Sequence, residues 1–264
     1  MNINNHSFID YRRAIVANRE IFLLKYPNVF LDFMKTDDYC SSLAFAISRG
    51  RTKDNKTLIS FLPFMGIIQR QIRNSFESFT CAHSYQGWVL LRPALEAAVI
   101  MGKWTDDKKY AEIWGNRNVD WQSYQKEYSG KKLESRSLPN SANIRSVLSR
   151  INDDFMHFNP TYYFRHSRLD PVDPQNYLFT IGYFDENIEQ DFHVHAFMHI
   201  CLVVTRSIAS LLQKQYVESI GVDVDLKGFQ KSYDKYLKRL TKEYPDGITI
   251  LTELGLWPDI CVKI

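Results

Sequence analysis

The segment Tyr85–Met101 sets Arg92 and Glu96 one helical turn apart inside an otherwise apolar run. Side chains four residues apart on a helix are neighbours, so the guanidinium and the carboxylate can pair. Burying two charges costs several kcal/mol per ion, and packed apolar residues would stabilise such a helix as well. Pro93, between them, removes a backbone hydrogen bond at a cost of about 3 kcal/mol. Two uses fit this arrangement. Arg92 and Glu96 form a structural ion pair, or they line a pocket in which Arg92 holds an anion through its planar fork and Glu96 orients it. Both uses require the side chains to be at least partly buried and in contact. Full burial would make Glu96→Ala cost about 3 kcal/mol, because Arg92 would be left unpaired.

Three further groups bear on chemistry. Arg150 and His157 stand almost two whole α-helical turns apart and so project from one face. Histidine titrates near neutrality and can take a 2′-hydroxyl proton or protonate a leaving oxygen, while arginine steadies charge growing on a phosphorane. That is a ribonuclease pair; the competing reading is a capping histidine beside a solvated arginine. Asp191, His195 and His199 step by four along a later helix, and with His83 or His157 they would make a tetrahedral zinc site. Their alternative is a set of histidines hydrogen-bonded beside a core stripe. Finally, Lys227, Lys231, Lys235, Lys238 and Lys242 form a cationic stripe opposite Phe229, Tyr233, Tyr236 and Leu240. Lys231, Lys235 and Lys238 are its nucleic-acid-binding candidates, although a solvated helix face has the same pattern. Lys131, Lys132 and Arg136 join them only where the fold brings the two regions together.

Arg followed by six residues and His near the end of a helix resembles the Arg-x4-6-His signature of HEPN domains, helical proteins common among prokaryotic toxin–antitoxin and phage-defence ribonucleases. The segment Leu90-Leu91-Arg92-Pro93-Ala94-Leu95-Glu96, with His157-Phe158-Asn159-Pro160 later, also resembles uncharacterised bacterial helical proteins grouped near that family. The likeness runs over residues 60–215 by order of elements. It implies an all-helical fold, RNA or a nucleotide as partner, and Arg150 and His157 as the reactive pair. The family pattern usually has Asn, Asp or His directly after the arginine, whereas Ile151 follows here, so the resemblance extends to inactive binding relatives as well as to ribonucleases.

Composition narrows the field. The chain has 264 residues, 45% apolar and 24% charged, which suits one soluble domain with a sizeable core. A formal charge of +3 is too small to compel a polyanionic partner by itself, so the position of the charges must decide. Cys40, Cys81, Cys201 and Cys261 are widely spaced and read as reduced, cytoplasmic thiols. The start, Met1–Ser7, lacks the basic and apolar parts of a signal peptide, and the Trp88–Met101 run is too short and too charged to span a bilayer. No glycine-rich phosphate loop, nucleophile elbow or cofactor motif occurs, and no cofactor is expected. A homodimer is left open.

The elements that must position these residues are helices. Apolar periodicity predicts helices over Phe8–Lys25, Asp38–Arg49, a stripe from Met65 to Phe79, Tyr85–Lys103, a piece capped by Asp106-Asp107, Asn118–Tyr128, one capped by Ser141 and reaching His157, Asn187–Val217 and Lys227–Glu243. Seventeen Phe and fifteen Tyr imply bulky helix packing. Within 160–184 the period shifts to two, and Tyr162–Arg165 is expected to pair with Tyr177–Tyr183 across a turn at Asp170–Pro174. The expected architecture is a single all-α domain over 1–264: an antiparallel helical bundle with a small β-hairpin insertion near 160–184 and a basic C-terminal helix, 227–243.

Overall fold

The computed structural model describes residues 8–49, 56–156, 167–173, 176–182, 184–185, 187–220 and 225–243. The chain is all-α apart from one hairpin. Helix α1 (Phe8–Lys25) leads into α2 (Pro27–Arg49). Tyr26 N–H donates to Phe22 and Phe30 N–H to Tyr26, so helical hydrogen bonds cross the junction, and Pro27 sits where a missing N–H does no harm. α2 starts well before Asp38 because Val29, Phe33 and Thr36 extend the buried face that continues through Cys40, Leu43 and Ile47. After a short turn of helix, α3 (Lys56–Ile59), come α4 (Phe61–Thr80) and α5 (Ser84–Asp106), packed as an antiparallel pair.

Aromatic rings tie these helices together. Phe76 of α4 stacks on Phe33 at 3.7 Å and meets Phe22 edge-on at 5.6 Å. Phe79 bridges Phe197 at 4.7 Å and Trp88 at 5.2 Å. Gly87 permits this approach, since a Cβ there would lie 2.6 Å from the Phe79 ring.

Helices α6 (Lys108–Gly115), α7 (Trp121–Tyr128) and α8 (Ser141–Ile151) follow. Asp107 and Asp120 cap the first two through the amides of Lys109 and Ser123. Asn140, not Ser141, occupies the N-cap of α8, in the left-handed conformation; Ser141 Oγ instead accepts from Ser135 N–H. α8 ends at Ile151 and passes into a π-helical turn, Asn152–Met156.

Strands β1 (Ser167–Asp173) and β2 (Asn176–Ile181) form an antiparallel hairpin in the register Ser167↔Ile181. The predicted turn is therefore displaced: Asp170 and Pro171 lie within β1, paired with Leu178 and Tyr177. Both strands of a two-stranded ribbon are edges, and an edge tolerates a proline. The expected partners Tyr162–Arg165 lie outside the described residues.

Helix α9 (Asn187–Ile220) is the centre of the fold. Its expected single apolar face is only part of the burial, because Val194–Leu212 is buried in every direction, Thr205, Arg206 and Ser207 included. Gln190–Tyr216 is long and apolar enough to cross a membrane, with a mean hydropathy of 1.5, and its apolar stretch is wholly enclosed by the other helices. A helix apolar all round is a core helix in such surroundings. α9 runs parallel to α2, matching Phe33 with Phe197 and Cys40 with Thr205. Helix α10 (Leu226–Glu243) returns antiparallel to both, with Tyr236 Oη donating to His195 O, Tyr39 stacked on Phe229 and Arg239 paired with Asp32.

Candidate functional site

The last turn of α5 holds the basic segment 129–138 against the helical body. Gly102 is the floor: a Cβ there would lie 2.5 Å from Ser135 Oγ and 2.6 Å from Leu138 Cβ, so only glycine lets the segment pass this close. Lys103 is 3% exposed, and its ammonium donates to the carbonyls of Glu127 at 2.9 Å and Lys132 at 2.8 Å. Its charge also lies over the rings of Tyr110 and Tyr128, at 4.1 and 5.2 Å. One turn on, the Asp106 carboxylate accepts the amides of Arg136 and Ser137 at 2.9 and 2.7 Å. A cation ties one carbonyl of the segment to one of α7, and an anion gathers the segment's amides. Ser135 Oγ accepts the amides of Ser137 and Leu138 and closes the turn.

This clamp presents Lys131, Lys132 and Arg136 exposed around a cavity of about 650 Å³, with Lys103, Lys109 and Tyr110 also in its wall. Three of the nearby carboxylates already have partners. Asp106 is bonded as above, Asp107 pairs with Lys109 at 3.2 Å, and Glu134 pairs with Arg145 at 3.3 Å. Lys103 has no described carboxylate within ion-pair distance; burial holds its pKa below the ordinary lysine value, against the pull of Glu127 and Asp106. Glu127 also stands in the wall, so the cavity mixes both signs, with the exposed Lys131, Lys132 and Arg136 beside the desolvated Lys103 ammonium as its groups for an added anion.

Arg92 and Glu96 do form the expected pair, at 2.9 Å, on α5. Their side chains are 32% and 33% exposed, so the pair sits at the surface edge of the helix, and neither residue lines the cavity beside Lys103. Among the described residues, the buried Arg92 Nε has no hydrogen-bond partner. Tyr124 of α7 stands close by, its pKa raised by burial and then by the Glu96 charge. Solvent reaches this pair, so the cost of full burial does not apply. Glu96→Ala should lower stability by less than about 1 kcal/mol, read from the urea midpoint.

Arg150 is exposed in the last turn of α8, and His157 lies outside the described residues. The α-helical phase that would align the two ends at Ile151, because the π-helical turn that follows is wound more widely. Asp191, His195 and His199 are not gathered as ligands, and among the described residues no group of three His, Cys, Asp or Glu is arranged to hold a metal. Asp191 instead pairs with Lys25 at 2.7 Å and accepts from Tyr26 Oη. His195 lies edge-on to Tyr26, and His199 is buried near Tyr233. His193 Nδ1 accepts from the Trp88 indole at 3.0 Å, and His83 stacks against both Tyr11 and Phe184, which also stack on each other at 5.7 Å. Cys40, Cys81 and Cys201 are free thiols, all buried.

Lys227, Lys231, Lys235, Lys238 and Lys242 are exposed on α10, opposite the buried Phe229, Tyr233, Tyr236 and Leu240. The cavity beside this helix, about 610 Å³ between α2 and α10, is lined by Lys35, Tyr39, Phe45 and Arg49, and not by the lysine stripe. Lys131, Lys132 and Arg136 converge with Lys103 and Lys109, not with α10. Lys103 is the residue that sequence reading missed. Its only signal was a charge at the end of an apolar helix, with glycine before it and aspartate one turn after.

No protein-family model, curated protein or solved structure matches the chain.

Proposed function

We propose that the protein binds RNA through phosphate contacts made by Lys131, Lys132 and Arg136. The observation that carries this reading is the clamp on segment 129–138, which fixes three exposed cations beside the buried Lys103 ammonium. Cations on a rigid backbone lose less conformational freedom on binding than cations on a mobile tail. RNA is also the partner that the HEPN resemblance implies, and the lysines of α10 offer a second, sequence-independent contact surface. The proposal is for binding rather than cleavage, because Arg150 is solvent-exposed and Ile151 follows it. Free, buried thiols suit a reducing cytosol.

The combined substitution Lys131→Ala, Lys132→Ala and Arg136→Ala should weaken RNA binding at least tenfold at moderate salt. It should also flatten the plot of log affinity against log salt by about 2, the value for three lost contacts to single-stranded phosphates. Replacing Lys231, Lys235 and Lys238 by Ala should do less. A loop variant that binds as the unaltered protein does, or an α10 variant with the larger loss, would move the site away from the loop.

A further inference from the structure

Beyond phosphate contact, we infer that this site selects single-stranded RNA, with Trp121 as a stacking platform for an unpaired base; the inference rests on the RNA reading above. α7 carries its aromatic residues on one side. Trp121 lies against Tyr124 with ring centroids 5.2 Å apart, and Tyr124 stacks on Tyr128 at 5.1 Å with the planes 15° apart. Tyr128 is buried and anchored, donating to Tyr110 O at 2.5 Å, accepting from the Trp104 indole at 3.1 Å and lying beneath the Lys103 ammonium. The ladder therefore begins beneath the Lys103 ammonium, beside the cavity, and ends, about 10 Å along the helix, in an indole that is 56% exposed.

Trp121 stands at the far end of α7 from the basic loop, half-exposed, and is joined to the buried Tyr128 beside Lys103 through Tyr124. Phosphates at Lys131, Lys132 and Arg136 would leave a neighbouring base within reach of Trp121 along the same α7–loop segment. A duplex cannot use it, because its bases are stacked inside and its deep groove is closed to side chains. A single strand can turn a base out onto the indole, and such stacking accepts any base. Charge alone would take any polyanion; the ring adds the discrimination between paired and unpaired strands.

The test uses the full chain and fluorescence anisotropy with a labelled oligouridine and a duplex of equal length, at one salt concentration. The unaltered protein should prefer the single strand. Trp121→Ala should weaken single-strand binding roughly 5- to 100-fold, the usual loss for one stacked base, and Trp121→Phe should restore most of it, with duplex binding unchanged in both. Equal affinity for the two forms, or a Trp121→Ala variant that binds the single strand normally, overturns this inference while leaving the RNA reading in place. Binding of neither form by the unaltered protein overturns both. A Trp121→Ala variant with normal RNA binding but an altered sedimentation coefficient would instead make this indole a protein contact. Circular dichroism of both variants confirms the fold.

Discussion

Replacing Lys103 by Ala should destabilise the protein by about 3 kcal/mol and release segment 129–138 from α5. The ammonium is buried and satisfies the carbonyls of Glu127 and Lys132, and its removal leaves both acceptors without that donor. Each buried group so deprived costs about 1–3 kcal/mol. Contact with the Tyr110 and Tyr128 rings is lost too. Offsetting this, the variant no longer has a charge to desolvate, which keeps the total near the lower end of the sum. Lys103→Met separates the contributions: it keeps the stem in its packing but removes the donors and the charge together, so most of the cost should remain. Urea unfolding of the three proteins gives the values, and limited proteolysis within 129–138 shows whether the clamp has opened. Equal midpoints for all three would mean that the carbonyls are served without Lys103, and the account of the site would fail.

The second large effect is expected on acidification. Burial of His195 against α10 lowers its pKa from 6.5 to about 4, with Asp191 opposing the shift and Lys25 adding to it. The folded state therefore holds the imidazole neutral, while the unfolded chain takes up a proton below pH 6.5. The stability this supplies is fully present above pH 6.5 and is lost as pH falls through that value towards 4. At about 1.4 kcal/mol per pH unit, the loss reaches about 3 kcal/mol. His83, whose pKa burial also lowers, acts in the same direction. Carboxylates titrate near the lower limit, so the informative quantity is the difference between the unaltered protein and His195→Phe, which keeps an aromatic ring beside Tyr26. Urea midpoints from pH 7 to 4 should fall more steeply for the unaltered protein. Parallel slopes would show that His195 is not held neutral by the fold.

Helix boundaries were legible wherever a local chemical signal stood beside the apolar period. Phe8–Lys25 stops at the residue before Tyr26-Pro27, Asp107 caps α6, and the lysines and aromatics of α10 divide cleanly into outer and inner faces, whereas α7 starts at Trp121 under the Asp120 cap and not at the expected Asn118. The pairing of Arg92 with Glu96 was equally local, because spacing along one helix sets that contact. Its burial was not local: how much solvent reaches the pair depends on whether another element covers it, and none does so completely.

Where an element's environment comes from distant chain, that environment was not legible, for the same reason. α9 has no distinct apolar face, since neighbours enclose it on all sides, and the first turns of α2 owe their helical state to Phe76 and Phe197, far along the chain. Same-face spacing for Arg150 and His157 rests on an unbroken α-helix; the described chain is α-helical to Ile151 and π-helical over Asn152–Met156, and His157 lies outside the described residues. Composition and periodicity thus determined that this protein is a helical body with a small hairpin, because burying an apolar stripe is a property of each segment by itself. Tertiary structure alone decided which charges meet: Lys103 lies on α5 and its partners on α7 and the segment beyond it, and only packing around Gly102 brings that cation, those carbonyls and the basic loop into one place.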